Sequence, residues 1–417
     1  MPKLFKKFFK KLGPGFITGA SDDDPSGIAT YTQVGARFGF GQLWVTLWSY
    51  PLMAGIQEMV GRIGLVTGRG LTATIRNHLP KWVLYVFVSL IVIANTINIG
   101  ADLGAMADAA KLLLPNVPFA FYAVSFTILI LVLEIFLSYR SYAKVLKWFT
   151  LALFSYLITM IIVTSDWQSL LAGAIIPHIR LDRDFFLMLT AVLGTTISPY
   201  LFIWQSNEEV EEEIADGKTT IGQRVGASKR EIKDMRQDTF IGMGFSQLIM
   251  FCIIATAANT FFKHGLLDIQ SSAQAAQALT PLAGRFASLI FSIGIIGTGL
   301  LAVPVLSASA SYALSEAFGW KDGLYKKFKQ AHGFYGVITI STLIGLLINF
   351  VGINPIKALI WAAVLNGLVT PPIVFIIMRI ANDKKVMGKW INGKLSNTLG
   401  IITLIVTITS AVLFFVL

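Results

Sequence analysis

Apolar runs of about 20 residues recur along the chain, separated by short polar or basic stretches, and each is long enough to cross a bilayer as a helix. The pattern predicts eleven spans: about 13–38, 42–66, 82–107, 118–138, 145–164, 185–206, 239–261, 286–312, 333–351, 356–380 and 398–417. Spans 1 and 6 are interrupted near their middles. Span 1 contains Asp24-Pro25-Ser26-Gly27, and span 6 contains Thr195-Thr196-Ile197-Ser198-Pro199. Proline removes a backbone donor and clashes with the preceding turn, and glycine lowers the cost of open backbone.

Unwound backbone inside a membrane is tolerated only where protein or a cavity satisfies it. The two interruptions lie five spans apart. Because five is odd, spans 1 and 6 begin on opposite sides of the membrane. Spans 1–5 and 6–10, about 13–164 and 185–380, therefore read as inverted repeats, with span 11 appended. Matching broken helices in two halves point to a transport site at the midplane. The bland alternative is a pair of proline kinks with no ligand. Asp22, Asp23 and Asp24 at one of the breaks argue against it, since each charge near the bilayer centre costs about 2.5–3.5 kcal/mol. Successive helical residues differ by about 100 degrees, so the three cannot all face one site. Asp24, directly before the proline, fits the unwound part. Asp22 and Asp23 are left to line an access path or to pair with Lys or Arg. A carboxylate among free carbonyls suits a cation.

Composition agrees with the pattern. Of the 417 residues, 55% are hydrophobic and only 14% charged, against about 25% charged in soluble domains. A soluble enzyme, a disordered chain and a fibrous repeat are excluded. The single cysteine, Cys252, excludes a disulfide framework or cysteine metal cluster. The net charge of +11 does not mean nucleic acid. With the N-terminal arm in the cytoplasm, 27 of the 34 Lys and Arg residues fall on the cytoplasmic side, the positive-inside pattern. The expectation is a multi-pass protein of the cell (inner) membrane whose partners are the lipid bilayer and a transported ion. A monomer is compatible with it.

Residues 1–12 read as a basic cytoplasmic arm, chiefly an orientation signal, and 13–417 as a single transport domain. The start does not read as a secretory signal peptide, because the three aspartates cut the apolar stretch short. The longest polar segment, about 207–238, begins with Glu208, Glu209, Glu211, Glu212 and Glu213, which read as a solvated helix end. Residues 264–284 form a second loop with helical content in its middle. Asn95, Asn98 and Asp102 in span 3 and Asn366 in span 10 are candidate pathway residues, though interhelical bonding is the commoner role for asparagine. Glu134 near the end of span 4 reads as snorkelling or paired with Arg140. Ser307, Ser309 and Ser311 read as small residues for close helix packing.

Three segments resemble one family. GPGFITGASDDDPSGIATYTQVGARFGFGQLW resembles the first helix of Nramp divalent-metal transporters, QEMVGRIGLVTGRGL their second, and IGADLGAMADAAKLL their third. The resemblance implies an all-α polytopic protein of the LeuT-type fold, with two inverted five-helix repeats, an eleventh helix, broken helices 1 and 6, and alternating access. It implies a metal site at Asp24, Gly27, Thr195 and Ser198, with Ser21 beside them, and a pathway or supporting shell of Asp22, Asp23, Asp102, Tyr200, Gln205 and Asn366.

The departures from the family pattern carry chemistry. Where the family has DPGN, this chain has DPSG, so Asp24 is kept and Gly27 replaces the metal-binding asparagine. Ser198 stands at the position of the methionine, Thr195 at the alanine whose carbonyl binds metal, and Tyr200 and Gln205 at two histidines. Asp102 is kept, and Ala105 stands at the glutamate used in proton transfer. A thioether favours transition metals, so its loss leaves hard oxygen. Magnesium binds through one or two carboxylates and retained waters, and Gly27 and Ser198 read as making room for such waters. The pattern looks like the Nramp-related magnesium transporters, with Mn²⁺ also accepted and no cofactor. Histidine titrates most readily near neutral pH, but His78, His178, His264 and His332 all fall at loop or span edges, which argues against proton coupling. The rivals are a proton-coupled Mn²⁺ or Fe²⁺ transporter of the main type, an organic-solute carrier, an ion channel and an intramembrane enzyme. No zinc motif or nucleophile–histidine constellation supports the enzyme.

Overall fold

In the computed structural model, which describes residues 14–136 and 153–417, the apolar runs are helices, and no strand occurs among these residues. The principal helices are α1 (Pro14–Asp22), α2 (Pro25–Phe38), α3 (Trp44–Thr67), α4 (Lys81–Leu113), α5 (Phe119–Phe136), α6 (Phe154–Val163) and α7 (Arg183–Thr196). They continue with α8 (Pro199–Ala215), α9 (Lys229–Thr260), α10 (Ala287–Phe318), α11 (His332–Ile348), α12 (Pro355–Ala381) and α13 (Lys394–Val416). Spans 1 and 6 are the broken pairs α1–α2 and α7–α8. The N-terminal arm, the start of span 5 and Arg140 lie outside the described residues.

Seven stretches of helix among the described residues are long and apolar enough to cross a membrane. The other expected spans differ for visible reasons. Span 1 is divided at its break, α3 carries Glu58 and Arg62, α6 has ten described residues, and α11 has 17.

The helices pack as two groups. The pair α4 and α10 has the most extensive contact and gathers α5 and α11 around it. In the other group α9 packs on α1, α2 and α3, while α8 lies on α3. Helix α7 is held between α12 and α13. Small residues permit the closest approaches. A Cβ on Gly194 would strike the backbone of Ala363 and Gly367 in α12, and one on Gly19 in α1 would strike Gly242 in α9.

The polar segment between spans 6 and 7 departs from expectation. Helix α8 continues to Ala215, and α9 begins at Lys229 behind a capping box of Ser228 and Glu231. The glutamates are therefore not a solvated helix end. Glu208, Glu209 and Glu213 are buried. Glu209 accepts from Gln205 Nε2 at 2.8 Å, Glu213 pairs with Lys218 at 2.9 Å, and Glu211 accepts from the Tyr312 hydroxyl at 2.7 Å. The Gln205–Glu209 contact is an i,i+4 pair within α8, but periodicity could not reveal the other two, because Lys218 lies in the following loop and Tyr312 on α10. Residues 264–284 do hold short helices, at Ser272–Ala276 and Thr280–Ala283.

Two other polar features also find specific partners. Glu134 neither snorkels nor lies free. It is buried and accepts from Ser307 Oγ at 2.5 Å. The serines of α10 are more than small residues: Ser309 donates to the Tyr200 carbonyl at 3.0 Å and Ser311 to the Phe334 carbonyl at 2.5 Å. Asn95 makes the interhelical bond expected of it, to the Leu306 carbonyl at 3.0 Å.

One buried ion network ties three parts of the chain. Arg62, 1% exposed, donates to Glu58 at 3.0 and 3.2 Å, to Asn392 Oδ1 at 2.6 Å and to the Trp390 carbonyl. Arg236 of α9 reaches the same Glu58 at 2.8 Å. Removing one partner of a buried pair leaves an uncompensated charge and costs about 3–5 kcal/mol. Glu58→Ala is thus expected to lower the thermal unfolding temperature of the detergent-solubilised protein by several degrees. An unchanged transition would show that the carbonyls alone hold Arg62.

Candidate cation site

Helix α2 begins as the local sequence dictates. Asp24 is the N-cap residue, with extended backbone (φ −71°, ψ 171°), and Pro25 occupies the first helical position, where its missing N–H costs nothing. Asp24 Oδ1 accepts from the Gly27 backbone N–H and from Ser26 Oγ, each at 2.7 Å. The Tyr200 hydroxyl lies within reach of the same carboxylate. Helix α8 repeats the arrangement. Ser198 is extended (φ −81°, ψ 128°) and Pro199 is the first helical residue.

Each break exposes carbonyls at the end of the preceding half-helix, and hydroxyl groups take them. Ser198 Oγ donates between the Gly194 and Thr195 carbonyls at 2.9 and 2.5 Å. Thr370 of α12 reaches the Ile197 carbonyl at 2.9 Å, and Tyr200 donates to the Ser21 carbonyl at 3.1 Å. These are weak, exchangeable partners for carbonyls. A cation can compete for the same lone pairs.

The three aspartates turn different ways, as helical geometry requires. Among the described residues Asp22 and Asp23 do not pair with Lys or Arg. They face α9, where Ser246 Oγ lies 2.5 Å from Asp22 Oδ2 and 3.5 Å from Asp23 Oδ1. Asp24 faces the start of α2 instead. Asp102 of α4 lies beside the Ser26 backbone and near Asp24, so the structure gathers it with the break. All four carboxylates are at most 1% exposed. The remaining oxygen of Asp22, that of Asp23 and both of Asp102 have no hydrogen-bond partner among the described residues. Unpartnered buried oxygens of this kind are costly without a counter-charge.

The other expected residues divide. Thr195, Ser198, Gly27 and Tyr200 meet at the paired breaks. Ser21 contributes its backbone carbonyl to that meeting point, while its hydroxyl turns back to Ile17 at 2.9 Å. Gln205 lies further along α8, bonded to Thr18 at 2.7 Å and to Glu209. Asn366 is buried in α12 with its Nδ2 unpartnered. The room expected beside Gly27 is filled. A Cβ there would stand 3.0 Å from Thr195 Oγ1 and 3.2 Å from Tyr31 Cε2. Sequence reasoning missed Tyr31, Ser26, Ser246 and Thr370. Tyr31 alone had a usable signal, lying four residues after Gly27 on the same helical face.

Paired broken helices around buried carboxylates define a membrane transporter rather than an enzyme. The Nramp family model, described as natural resistance-associated macrophage protein-like, matches residues 15–417, and the chain belongs to that family. A protein of Caldanaerobacter subterraneus subsp. tengcongensis named divalent metal cation transporter MntH is 25% identical over 404 residues, covering 95% of this chain and 90% of its own. The protein of that name in Yersinia enterocolitica is 26% identical over 411 residues, covering 95% and 92%. The crystal structure of the Eremococcus coleocola manganese transporter superposes with a TM-score of 0.80 at 15% identity, over 100% of this chain and 87% of that one. Mhp1, a nucleobase-cation-symport-1 family transporter, superposes at 0.59 with 13% identity, over 96% and 91%. The fold is thus the LeuT type.

Thr370→Val removes the hydroxyl whose single proton is shared between the Ile197 carbonyl at 2.9 Å and the Asn366 carbonyl of its own helix at 2.7 Å, and leaves the buried Ile197 acceptor without it, at a cost of about 1–3 kcal/mol. A lowered unfolding temperature is the expected result. If the transition does not move, the Ile197 carbonyl has another partner.

Proposed function

We propose that the chain imports divalent metal cations by alternating access, with Mg²⁺ as the preferred ion, Mn²⁺ also accepted, and no coupled proton. As a member of its family the chain is a divalent metal cation transporter. The preference is our reading of the donor set. The groups that the two breaks bring together offer oxygen: the Asp24 carboxylate, the Thr195 and Ser21 carbonyls, and the Ser198 hydroxyl; a thioether stands behind them, Met250 Sδ of α9, 3.9 Å from Thr196 Oγ1. Hard oxygen suits a hard ion that keeps part of its water. This oxygen donor set at the two breaks is the observation that carries the proposal.

In this reading Asp24 supplies the charge that attracts the ion. The ion displaces Ser198 from the Thr195 carbonyl and Tyr200 from the Ser21 carbonyl. Each hydroxyl is then free to turn toward water on the ion. Asp102 adds negative potential from α4. The two inverted repeats, about 13–164 and 185–380, move against one another, and the positive-inside distribution puts the N-terminus in the cytoplasm. The cell membrane is the expected location. Uptake needs no proton, because a divalent ion gains about 4.6 kcal/mol per 100 mV of inside-negative potential. That sustains roughly a thousandfold gradient.

A second reading has one observation in its favour. The relatives above carry names that specify manganese or divalent metals in general, which fits proton-coupled Mn²⁺ uptake. The two readings separate in proteoliposomes with an inside-negative potential and an internal pH dye. We expect Mg²⁺ entry without acidification, reduced at least 100-fold by Asp24→Asn, about the loss of one charge–ligand interaction of roughly 3 kcal/mol. Mn²⁺ entry with acidification and no Mg²⁺ flux would overturn the proposal. Ser198→Met, which restores a soft donor, is expected to raise Mn²⁺ uptake relative to Mg²⁺ by about tenfold. An unshifted ratio would remove Ser198 from the ion's coordination.

A further inference from the structure

Gly27 leaves no empty volume behind it. The space a side chain would need is bounded by Thr195 Oγ1 at 3.0 Å, the Tyr31 ring edge at 3.2 Å and the Asp22 carbonyl oxygen at 3.4 Å. Tyr31 follows Gly27 by one turn, and helical side chains lean back toward the N-terminus, here toward the break. Its ring is fully buried, and its hydroxyl lies 3.1 Å from Thr195 Oγ1. Two hydroxyls, one from each broken helix, thus meet next to the residue whose N–H holds Asp24.

A phenol is an expensive way to fill this space. Phenylalanine would supply the same ring without a polar atom to bury. Each hydroxyl carries one proton and two lone pairs. Their mutual bond uses one proton and one lone pair; the Thr196 side chain also lies within reach of the Tyr31 hydroxyl, and lone pairs on the two hydroxyls are left over. The carboxylates of Asp22 and Asp23 stand close enough to act on the tyrosine. A cation entering this region with water attached would bring hydrogens that need acceptors at that distance from the metal.

We infer that Tyr31 and Thr195 form a specificity-determining pair, whose hydroxyls hold the water that a hard divalent cation keeps at the Asp24 site. The inference rests on the magnesium reading above and assigns it to Tyr31, outside the expected ligand set, and to the side chain of Thr195, a residue expected there. Mg²⁺ sheds water reluctantly, so an outer pair of oxygens favours it over an ion that dehydrates readily. The same pair excludes a longer side chain at position 27, and with it an amide ligand.

The test uses the full chain in proteoliposomes, with Mg²⁺ and Mn²⁺ as the probes. Tyr31→Phe keeps the ring and removes one hydroxyl. Thr195→Val keeps the shape and removes the other while retaining the backbone carbonyl. Each is expected to lower the ratio of Mg²⁺ to Mn²⁺ initial rates by about tenfold, the effect of one lost water-mediated bond to a charged group. The double variant is expected to fall no further than either single one, because the two act as a unit. Should Tyr31→Phe fail to fold, Thr195→Val carries the test alone. A purely structural role would slow both ions by the same factor, and an unmoved ratio would overturn the inference. A wild-type protein that carries Mn²⁺ but not Mg²⁺ overturns it together with the magnesium reading. A wild-type protein that carries Mg²⁺, with an unmoved ratio in both variants, overturns this inference alone.

Discussion

The constraint on which the structure depends is the satisfaction of open backbone inside a membrane. A broken helix presents carbonyls that water would take in solution but that hydrocarbon cannot. Here hydroxyls take them: Ser198 for Gly194 and Thr195, Thr370 for Ile197, Tyr200 for Ser21. This solution holds the breaks open and still leaves the carbonyls accessible, because a hydroxyl can rotate away when a cation arrives. A backbone N–H could not withdraw so cheaply. In the proposed reading, the resting state of the site is a hydrogen-bonded version of its loaded one.

Charge follows from the same geometry. Asp24 is stabilised by the N-terminus of α2, through the Gly27 N–H and the favourable end of the helix dipole. Asp22 and Asp23 share the Ser246 hydroxyl of α9, and Asp102 lies beside the Ser26 backbone. Four buried carboxylates concentrated at one break create a strong demand for positive charge. The close packing of α1 on α9 through Gly19 and Gly242 brings Ser246 within reach. The ion network of Glu58, Arg62 and Arg236 joins α3 to α9 and to the segment before α13. Movement of α1 against α9 would break a zipper of small residues rather than a bed of large interlocking side chains, a low-cost rearrangement suited to a carrier.

Much of the site was legible in the sequence, and the reason is chemical. Asp24-Pro25 and Ser198-Pro199 announce helix starts through N-cap and proline preferences that act over three or four residues. A run of aspartates in an apolar segment is so costly that it signals function by itself. Two of the glutamates after Gln205 find partners from elsewhere in the chain, Glu213 in Lys218 of the next loop and Glu211 in Tyr312 of α10, which the local pattern does not announce. The volume beside Gly27 was also misread. A glycine in a sequence implies room, but only packing says whether Tyr31 and Thr195 have already filled it.

The sequence by itself determined the membrane class, the two broken helices, the family and the position of Asp24, because each depends on local composition or on interactions within a few residues. The tertiary structure decided which oxygens converge. It placed Ser246 against Asp22, Asp102 beside Ser26, Thr370 at the Ile197 carbonyl and Tyr31 against Thr195. Those pairings join residues tens to hundreds of positions apart, and they arise from helix packing that periodicity does not encode. The identity of the donor set is local chemistry, while its closure into a site belongs to the fold.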